Sequence, residues 1–197
     1  MHKKSTAWLA LPLILAIALT GCSSTAATKP GDVKNTSGGS AAPKAPAEKV
    51  GTRSNPAPAG TSVTVKDISG NPTYTVVIGA VTMDAGAAIT AENQFNSPPK
   101  PGMQFIMFPV TFTYVGKETG TPSSDVRINF VSAAGTTHQP SDSFVVIPKD
   151  VSSLNEIYPG ASATGNIAIE VPTTDAGKGL LTVSNLFGTT KFFLKLA

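Results

Sequence analysis

From residue 61 onward, the sequence consists of short runs in which β-branched or aromatic residues alternate with polar ones, separated by clusters of Gly, Pro, Asn and Asp. In "TGNIAIEVP", for example, Ile167, Ile169 and Val171 fall on one face of an extended chain. Alternation with a period of two predicts half-buried antiparallel strands, and no stretch of comparable length favours a helix. The pattern therefore limits this part of the chain to an all-β fold.

About eight strands are predicted. They cover residues 61–67, 73–83, 103–115, 126–130, 142–147, 164–172, 181–183 and 192–196. The sequence "NLFGTT" is typical of a hairpin connection between the last two. Because each strand offers one apolar face, we expect two antiparallel sheets packed face to face as a β-sandwich. Residues 61–197 are long enough to bury one core.

Two segments depart from the strand pattern. Pro109 interrupts a long apolar strand, and since proline cannot donate to a ladder we expect a bulge or an unpaired edge there. The connection from Asp84 to Gly102 is long for a compact domain, and "AGAAITAEN" within it predicts one or two helical turns. Such a connection is either an interaction loop or a filler, and the sequence favours neither.

Residues 22–60 have the composition of a linker. Ser, Thr, Ala, Gly, Pro and Lys dominate, and Val33 and Val50 are the only large apolar residues. A segment of this kind cannot bury enough surface to offset the entropy lost on ordering. We therefore predict that these residues form a disordered spacer before the folded domain.

Residues 1–21 have the pattern of a signal peptide. Lys3 and Lys4 precede an apolar run from Ala7 to Leu19, and small residues follow it. The run has thirteen residues and contains Pro12, whereas a membrane-spanning helix needs ~20 apolar residues. This segment is therefore expected to be a leader and not a permanent peptide anchor.

Cys22 is the only cysteine in the chain, so it cannot close an intramolecular disulfide. Together with Leu19, Thr20 and Gly21, which would be recognised by the signal peptidase, it resembles the lipobox of bacterial lipoproteins. The resemblance implies cleavage just before Cys22 and a diacylglycerol thioether on its sulfur. Two or more acyl chains, such as palmitate, make membrane anchoring durable. The alternative is a thiol that lies by chance near a conventional cleavage site.

The charge distribution argues against a nucleic-acid partner. Loss of Lys3 and Lys4 with the leader lowers the formal net charge from +3 to +1. Residues 60–197 carry eight basic and ten acidic groups, and they contain no run of Lys or Arg. Nucleic-acid binding calls for a clustered basic face, which the domain sequence does not predict.

Four landmarks along the second half of the chain point to a known family. They are "PKPGMQFIMFPVTFTYVGKE", "VRINFVSAAGTTHQPS", "YPGASATGNIAIEVP" and "KFFLKL". In these motifs the chain resembles an uncharacterised family of bacterial lipoprotein domains related to the mycobacterial immunoprotective extracellular protein. With the earlier strands, the resemblance covers most of residues 61–197. It implies an immunoglobulin-like sandwich outside the cytoplasm, and none of the motifs is a catalytic signature.

The sequence contains few candidates for catalytic or metal-binding residues. Nucleophilic catalysis needs a base beside the nucleophile, and His138 is the only histidine after the leader, in a sequence typical of an exposed loop. A copper site could be formed by thioether and imidazole ligands from Met83, Met103, Met107 and His138. Methionines on strands, however, more often fill gaps in a core. We therefore predict no catalytic residues and no metal site. The acids are too scattered for a calcium loop and are expected at the solvated surface: Asp67, Asp84, Asp125, Asp142 and Asp150.

The sequence thus predicts a lipid-anchored protein of the cell membrane that faces away from the cytoplasm. It would present a non-enzymatic binding or adhesion module to a protein or cell-envelope partner. The alternative is an accessory lipoprotein that binds a small ligand or a metal for transport or stress sensing. No cofactor is expected beyond the covalent diacylglycerol on Cys22. Phe193 is either core or an exposed partner site, depending on whether its face of the last strand is covered.

Overall fold

The structure is a computed structural model, and it describes residues 48–196. Within that range the chain forms eight strands and two short α-helices. They are β1 (Val63–Lys66), β2 (Pro72–Ile78), α1 (Gly86–Glu92), β3 (Met103–Tyr114), α2 (Pro122–Asp125), β4 (Val126–Val131), β5 (Thr137–His138), β6 (Ser162–Pro172), β7 (Leu180–Asn185) and β8 (Phe192–Lys195). Neither described helix has the length or the apolar character needed to cross a bilayer.

The strands form two four-stranded antiparallel sheets, in the orders β1-β2-β3-β6 and β5-β4-β7-β8. The chain changes sheet after β3, β5 and β6, as in a Greek key. The pairs β3–β6 and β4–β7 correspond to the B–E and C–F pairs of the immunoglobulin fold, and β8 takes the place of strand G. The predicted all-β, immunoglobulin-like sandwich is confirmed.

The main core lies between the two sheets, because alternate residues of each strand point inward. Strands β3, β6 and β4 supply the inward residues that the alternation predicted: Ile106, Phe108, Val110, Phe112, Tyr114, Ile167, Ile169, Val171, Val126, Ile128 and Phe130. Every residue of this described core lies between Ala57 and Leu196. Residues 45–197, which form one compact unit, therefore contain a complete core of their own.

A second, smaller cluster, which we call the outer cluster, covers part of the outer face of the β1-β2-β3-β6 sheet. Ile89 of α1 packs there with Phe105 of β3 and Ala168 of β6, and Ile147 joins them. The helical turns predicted within residues 84–102 are confirmed. Because Ile89 is buried, α1 acts as a packing element.

The strand predicted at residues 142–147 is wrong. A 3₁₀ turn at Pro140–Asp142 follows β5, and the chain then runs irregularly to a second 3₁₀ turn at Val151–Ser153. A side chain takes the place of a neighbouring strand: the Asn96 amide donates to the carbonyl of Val146 and accepts from its N–H, both at 2.8 Å. The short strand β5, which was not predicted, pairs with β4 instead.

Pro109 lies at a bulge, as expected. Between the Ile78–Val110 pair and the Thr82–Met107 bridge, three residues face two residues of β3, so the register shifts by one. The Pro109 carbonyl accepts from Gly79 on this side, where the missing proline N–H also points. On its other side β3 pairs with β6 without any shift.

The predicted linker ends too late, because the fold includes residues before Gly60. The N–H of Phe193 donates to the Gly51 carbonyl at 2.8 Å, and the Phe193 carbonyl accepts from Ala57 at 2.9 Å. Ala57 is fully buried in the core. This pairing covers the outer edge of β8 and leaves Phe193 half-buried, between the two alternatives considered for it. The remaining linker residues and the leader lie outside the described residues.

Candidate functional site

The residues predicted for lipid attachment lie outside the described part of the chain. Leu19, Thr20, Gly21 and Cys22 all precede residue 48. Signal-peptide cleavage and lipidation of Cys22 therefore remain predictions from the sequence.

His138 is not on an exposed loop, as its sequence context had suggested. It lies on β5, half-buried, with its ring centroid 6.0 Å from that of Phe130, and its Nε2 has no hydrogen-bond partner among residues 48–196. Met107 packs at the edge of the outer cluster, whereas Met83 is exposed. Within the described residues, no three His, Cys, Asp or Glu side chains come together as a metal site would require.

One buried carboxylate, Glu170 on β6, has a structural role. It accepts hydrogen bonds from the Lys100 backbone N–H at 2.7 Å, the Lys100 Nζ at 3.0 Å and the Ser143 Oγ at 2.7 Å. Burial acts to raise the pKa of Glu170, but these hydrogen bonds and the Lys100 charge together outweigh it and hold the pKa below its ordinary value. The carboxylate thus joins β6 to two loops.

The strongest candidate for recognition lies at one end of the sandwich, where β1 and β3 end and β2 and β4 begin. Six residues from four separate segments line one cavity of about 310 Å³ there, and we call them the loop-tip site: Asp67, Ile68, Tyr74, Tyr114, Asp125 and Phe187. Ile68 and Phe187 are 83% and 82% exposed, although both are large and apolar. The two tyrosines are buried, so the cavity has an aromatic interior and an apolar rim.

Hydrogen bonds hold the loops of this site together. The Tyr74 hydroxyl donates to Asp125 Oδ2 at 2.6 Å, which links β2 to the end of α2, immediately before β4 of the other sheet. Asn185 Nδ2 donates to the Lys66 carbonyl at 2.6 Å, and the Leu186 N–H donates to the Asp125 carbonyl at 3.0 Å. The first two bonds cross between the sheets, and the third extends the β4–β7 pairing within one sheet. The mouth of the cavity is therefore held by the same arrangement of sheets that encloses the core.

Tyr74 is the deepest group of the loop-tip site. Its ring makes an edge contact with that of Tyr114, with centroids 5.0 Å apart. Burial, followed by the hydrogen bond to Asp125, raises the pKa of Tyr74 well above its ordinary value, so it remains a neutral donor. Gly120 is required beside it, since a Cβ at that position would collide with the Tyr74 hydroxyl and the Tyr114 ring.

A larger cavity, of about 570 Å³, lies between β4 and residues 139–152. Its charged groups, Arg127 and Asp150, have opposite signs, and the Asp150 carboxylate already accepts from the Ser152 N–H. Asn129 also lines it, and its buried Oδ1 has no partner in the described range. Phe144 and Val146 are exposed apolar side chains of this larger cavity, so both sites offer apolar contacts. The loop-tip site is the better candidate despite its smaller volume, because its charged groups are of one sign.

Sequence reasoning had treated Asp67 and Asp125 as scattered surface acids and had not singled out Ile68, Tyr74 or Phe187. The structure places all five of these residues around one cavity. A local signal existed at two positions, since "DISGNP" and "NLFGTT" each place a large apolar residue in a turn, where polar residues are usual.

Comparison with known proteins gives matches to solved structures only. No protein-family model matches the chain, and no curated protein matches it. An uncharacterized β-sandwich protein from Clostridium difficile is 12% identical, with a TM-score of 0.44 over 76% of this chain and 95% of that chain. A conserved hypothetical protein from Bacillus anthracis is 15% identical, with a TM-score of 0.41 over 68% of this chain and 96% of that chain.

The third structure is the secreted protein MPT63 of Mycobacterium tuberculosis. It is 15% identical, with a TM-score of 0.45 over 68% of this chain and 90% of that chain. A mycobacterial secreted protein is thus among the structural neighbours, at low identity. The fold assignment rests on the strand pairing described above, and these likenesses say nothing about what the loop-tip site binds.

Proposed function

We propose that the protein is a lipoprotein anchored to the cell membrane through diacylglycerol on Cys22, facing away from the cytoplasm. Its sandwich domain acts as a non-enzymatic binding module for a protein or cell-envelope partner. The leader and the lipobox-like residues before Cys22 support the anchor.

The observation that carries the binding function is the exposure of two large apolar side chains at the mouth of one cavity. Ile68 and Phe187 stand at the tips of the β1–β2 and β7–β8 connections. Burial of such a side chain by a partner contributes about 1.5–3 kcal/mol. Large apolar side chains that are exposed together at one place, with polar residues around them, mark interaction sites and ligand-binding grooves.

Cross-linking on intact cells tests this function. We expect the wild-type protein to give specific cross-linked products and the variant Ile68→Ser/Phe187→Ser to lose them, because the partner would no longer bury these side chains. Phe95→Ser is the matched control, since Phe95 is 85% exposed but does not line the cavity. Identical products from wild type and the double variant would refute binding through the loop-tip site.

Mass spectrometry of the natural protein tests the anchor separately. We expect the chain to begin at Cys22 with its sulfur carrying diacylglycerol, and we expect Cys22→Ser to abolish this modification. An unmodified thiol, or a chain that retains residues 1–21, would contradict the proposed anchoring and location.

The alternative, a small-ligand accessory lipoprotein, is favoured by the size of the loop-tip cavity. Its volume of about 310 Å³ is at the lower end of known ligand sites. A thermal-shift screen of residues 45–197 distinguishes the two functions. A small ligand that binds only the folded domain raises its Tm, whereas a module for a large partner gives no shift with small molecules.

A further inference from the structure

The charges around the loop-tip cavity are of one sign. Among the described residues that line it, Asp67 and Asp125 are the ionised groups, and neither lysine nor arginine is present. Asp67 accepts hydrogen bonds from the Asn71 side chain, the Asn71 N–H and the Ser69 N–H. The Asn71 side chain contributes most to lowering the pKa of Asp67, which therefore stays anionic at neutral pH.

Asp125 has a free acceptor. Its Oδ2 accepts from the Tyr74 hydroxyl at 2.6 Å and from the Thr121 N–H at 2.9 Å. Its Oδ1 makes no hydrogen bond within residues 48–196, and the side chain is exposed. The two bonds to Oδ2 fix the carboxylate, so that Oδ1 is presented without further ordering of the side chain.

The remaining walls suit the other parts of a long basic side chain. Tyr74 and Tyr114 provide aromatic rings, which attract cations through their quadrupoles. Ile68 and Phe187 at the rim would contact an aliphatic stem and its apolar neighbours. A neutral group would not pair with the negative charge of Asp125 Oδ1, and an acidic group would be repelled by both carboxylates.

We propose that the loop-tip site receives a lysine or arginine side chain from a partner protein, flanked in that partner by apolar residues. This inference rests on the proposed function, because it assigns the chemistry of the partner to the same site. The cation pairs with Asp125 Oδ1, and the flanking residues cover Ile68 and Phe187.

Nuclear magnetic resonance with two matched peptides tests the inference on isotope-labelled residues 45–197. The probes are acetyl-Leu-Lys-Leu-amide and acetyl-Leu-Gln-Leu-amide, which differ in charge only at the central residue. We expect the lysine peptide to shift the amide signals of Thr121, Asp125 and Phe187. At low salt it should bind about threefold to tenfold more tightly than the glutamine peptide, as an ion pair with an aromatic contribution predicts. The difference should shrink in about 0.5 M salt.

Asp125→Asn is the decisive variant, because asparagine keeps an oxygen that accepts from Tyr74 but removes the charge. We expect it to lose most of the preference for the lysine peptide, because Asp67 is then the one carboxylate left among the lining residues. Asp84→Asn is the control: Asp84 is exposed, it does not line the cavity, and its φ of 52° is one that asparagine tolerates. This control should keep the preference for lysine.

The outcomes separate this inference from the proposed function. Equal binding of both peptides at the loop-tip site would overturn the basic-residue assignment and leave recognition through Ile68 and Phe187 intact. A lysine preference that is undiminished in Asp125→Asn, or the absence of any shift at the site, would also overturn it. Failure of the proposed function appears elsewhere, as unchanged cross-linking of the Ile68→Ser/Phe187→Ser variant on cells.

Discussion

Replacement of Glu170 by Gln tests whether the buried carboxylate stabilises the domain through its charge. The carboxylate accepts from the Lys100 N–H, the Ser143 hydroxyl and the Lys100 ammonium. In Glu170→Gln the amide oxygen still accepts from the Lys100 N–H, and the amide nitrogen donates to Ser143. That nitrogen faces the ammonium as a second donor, so the third bond is lost.

The magnitude follows from these changes. Hydrogen bonds to charged groups contribute about 1.5–3 kcal/mol and neutral ones about 0.5–1.5 kcal/mol, so the two retained bonds each lose about 1 kcal/mol. The bond from the ammonium adds little, because the Lys100 side chain is 68% exposed and solvent screens its charge. Relief from burying a charge offsets part of the loss. We expect Glu170→Gln to lower the free energy of unfolding by about 1–2 kcal/mol near neutral pH.

The pH dependence identifies the charge as the cause. Because the folded-state pKa of Glu170 is below the unfolded value of about 4.3, its stabilisation is fully present above that value. It is lost as the pH falls through the folded-state pKa. The difference in stability between wild type and Glu170→Gln should therefore be constant from neutral pH down to about pH 5 and shrink below it.

Urea unfolding of residues 45–197, followed by circular dichroism at several pH values, measures this difference. Lys100→Met is the control, because it removes the exposed ammonium and keeps the backbone N–H, and we expect it to cost less than about 1 kcal/mol. Equal stability of wild type and Glu170→Gln at neutral pH, or a difference that does not change on acidification, would refute the reasoning.

Three further substitutions test the site and the core, each by urea unfolding. Tyr74→Phe removes the hydroxyl that donates to Asp125 and should cost about 1–2 kcal/mol, with a loss under 0.3 kcal/mol contradicting this role for the bond. Gly120→Ala places a Cβ against Tyr74 and Tyr114 and should cost about 1–3 kcal/mol, and unchanged stability would mean that the loop moves aside freely. Ile169→Ala opens a cavity at a fully buried position of β6 and should cost about 2–5 kcal/mol, which a loss below 1 kcal/mol would contradict.

The strands could be predicted from the sequence because burial in a sandwich imposes a period of two. Every second residue of β3, from Ile106 to Tyr114, is buried in the core. The large apolar residues recur at the same interval in the sequence because only one face of the strand contacts this core. Pro109 is exposed and lies on the opposite face of the same strand, so it does not interrupt the buried alternation. Its missing N–H points to one neighbouring strand only, and the β3–β6 pairing on the other side is therefore without a shift.

The same rule misled the prediction at residues 142–147, where the alternation has another cause. Phe144 and Val146 are exposed, and Val145 and Ile147 pack against the outer cluster. The segment is held by the side chain of Asn96, which lies 50 positions earlier in the chain, and not by a strand partner. A period of two indicates that one face of a segment is buried, but it does not indicate whether the segment is paired with another strand.

The loop-tip site was beyond sequence reasoning because it depends on strand register. Tyr74 of β2 and Tyr114 of β3 lie directly opposite each other in the antiparallel pair. A shift of one residue in this register would turn Tyr74 to the outer face of the sheet. Asp125, 51 positions from Tyr74, reaches it only because the two sheets stack in this alignment. The register is in turn fixed by the buried faces of all the paired strands, so the same apolar alternation that defines the core also determines which polar groups meet at its end.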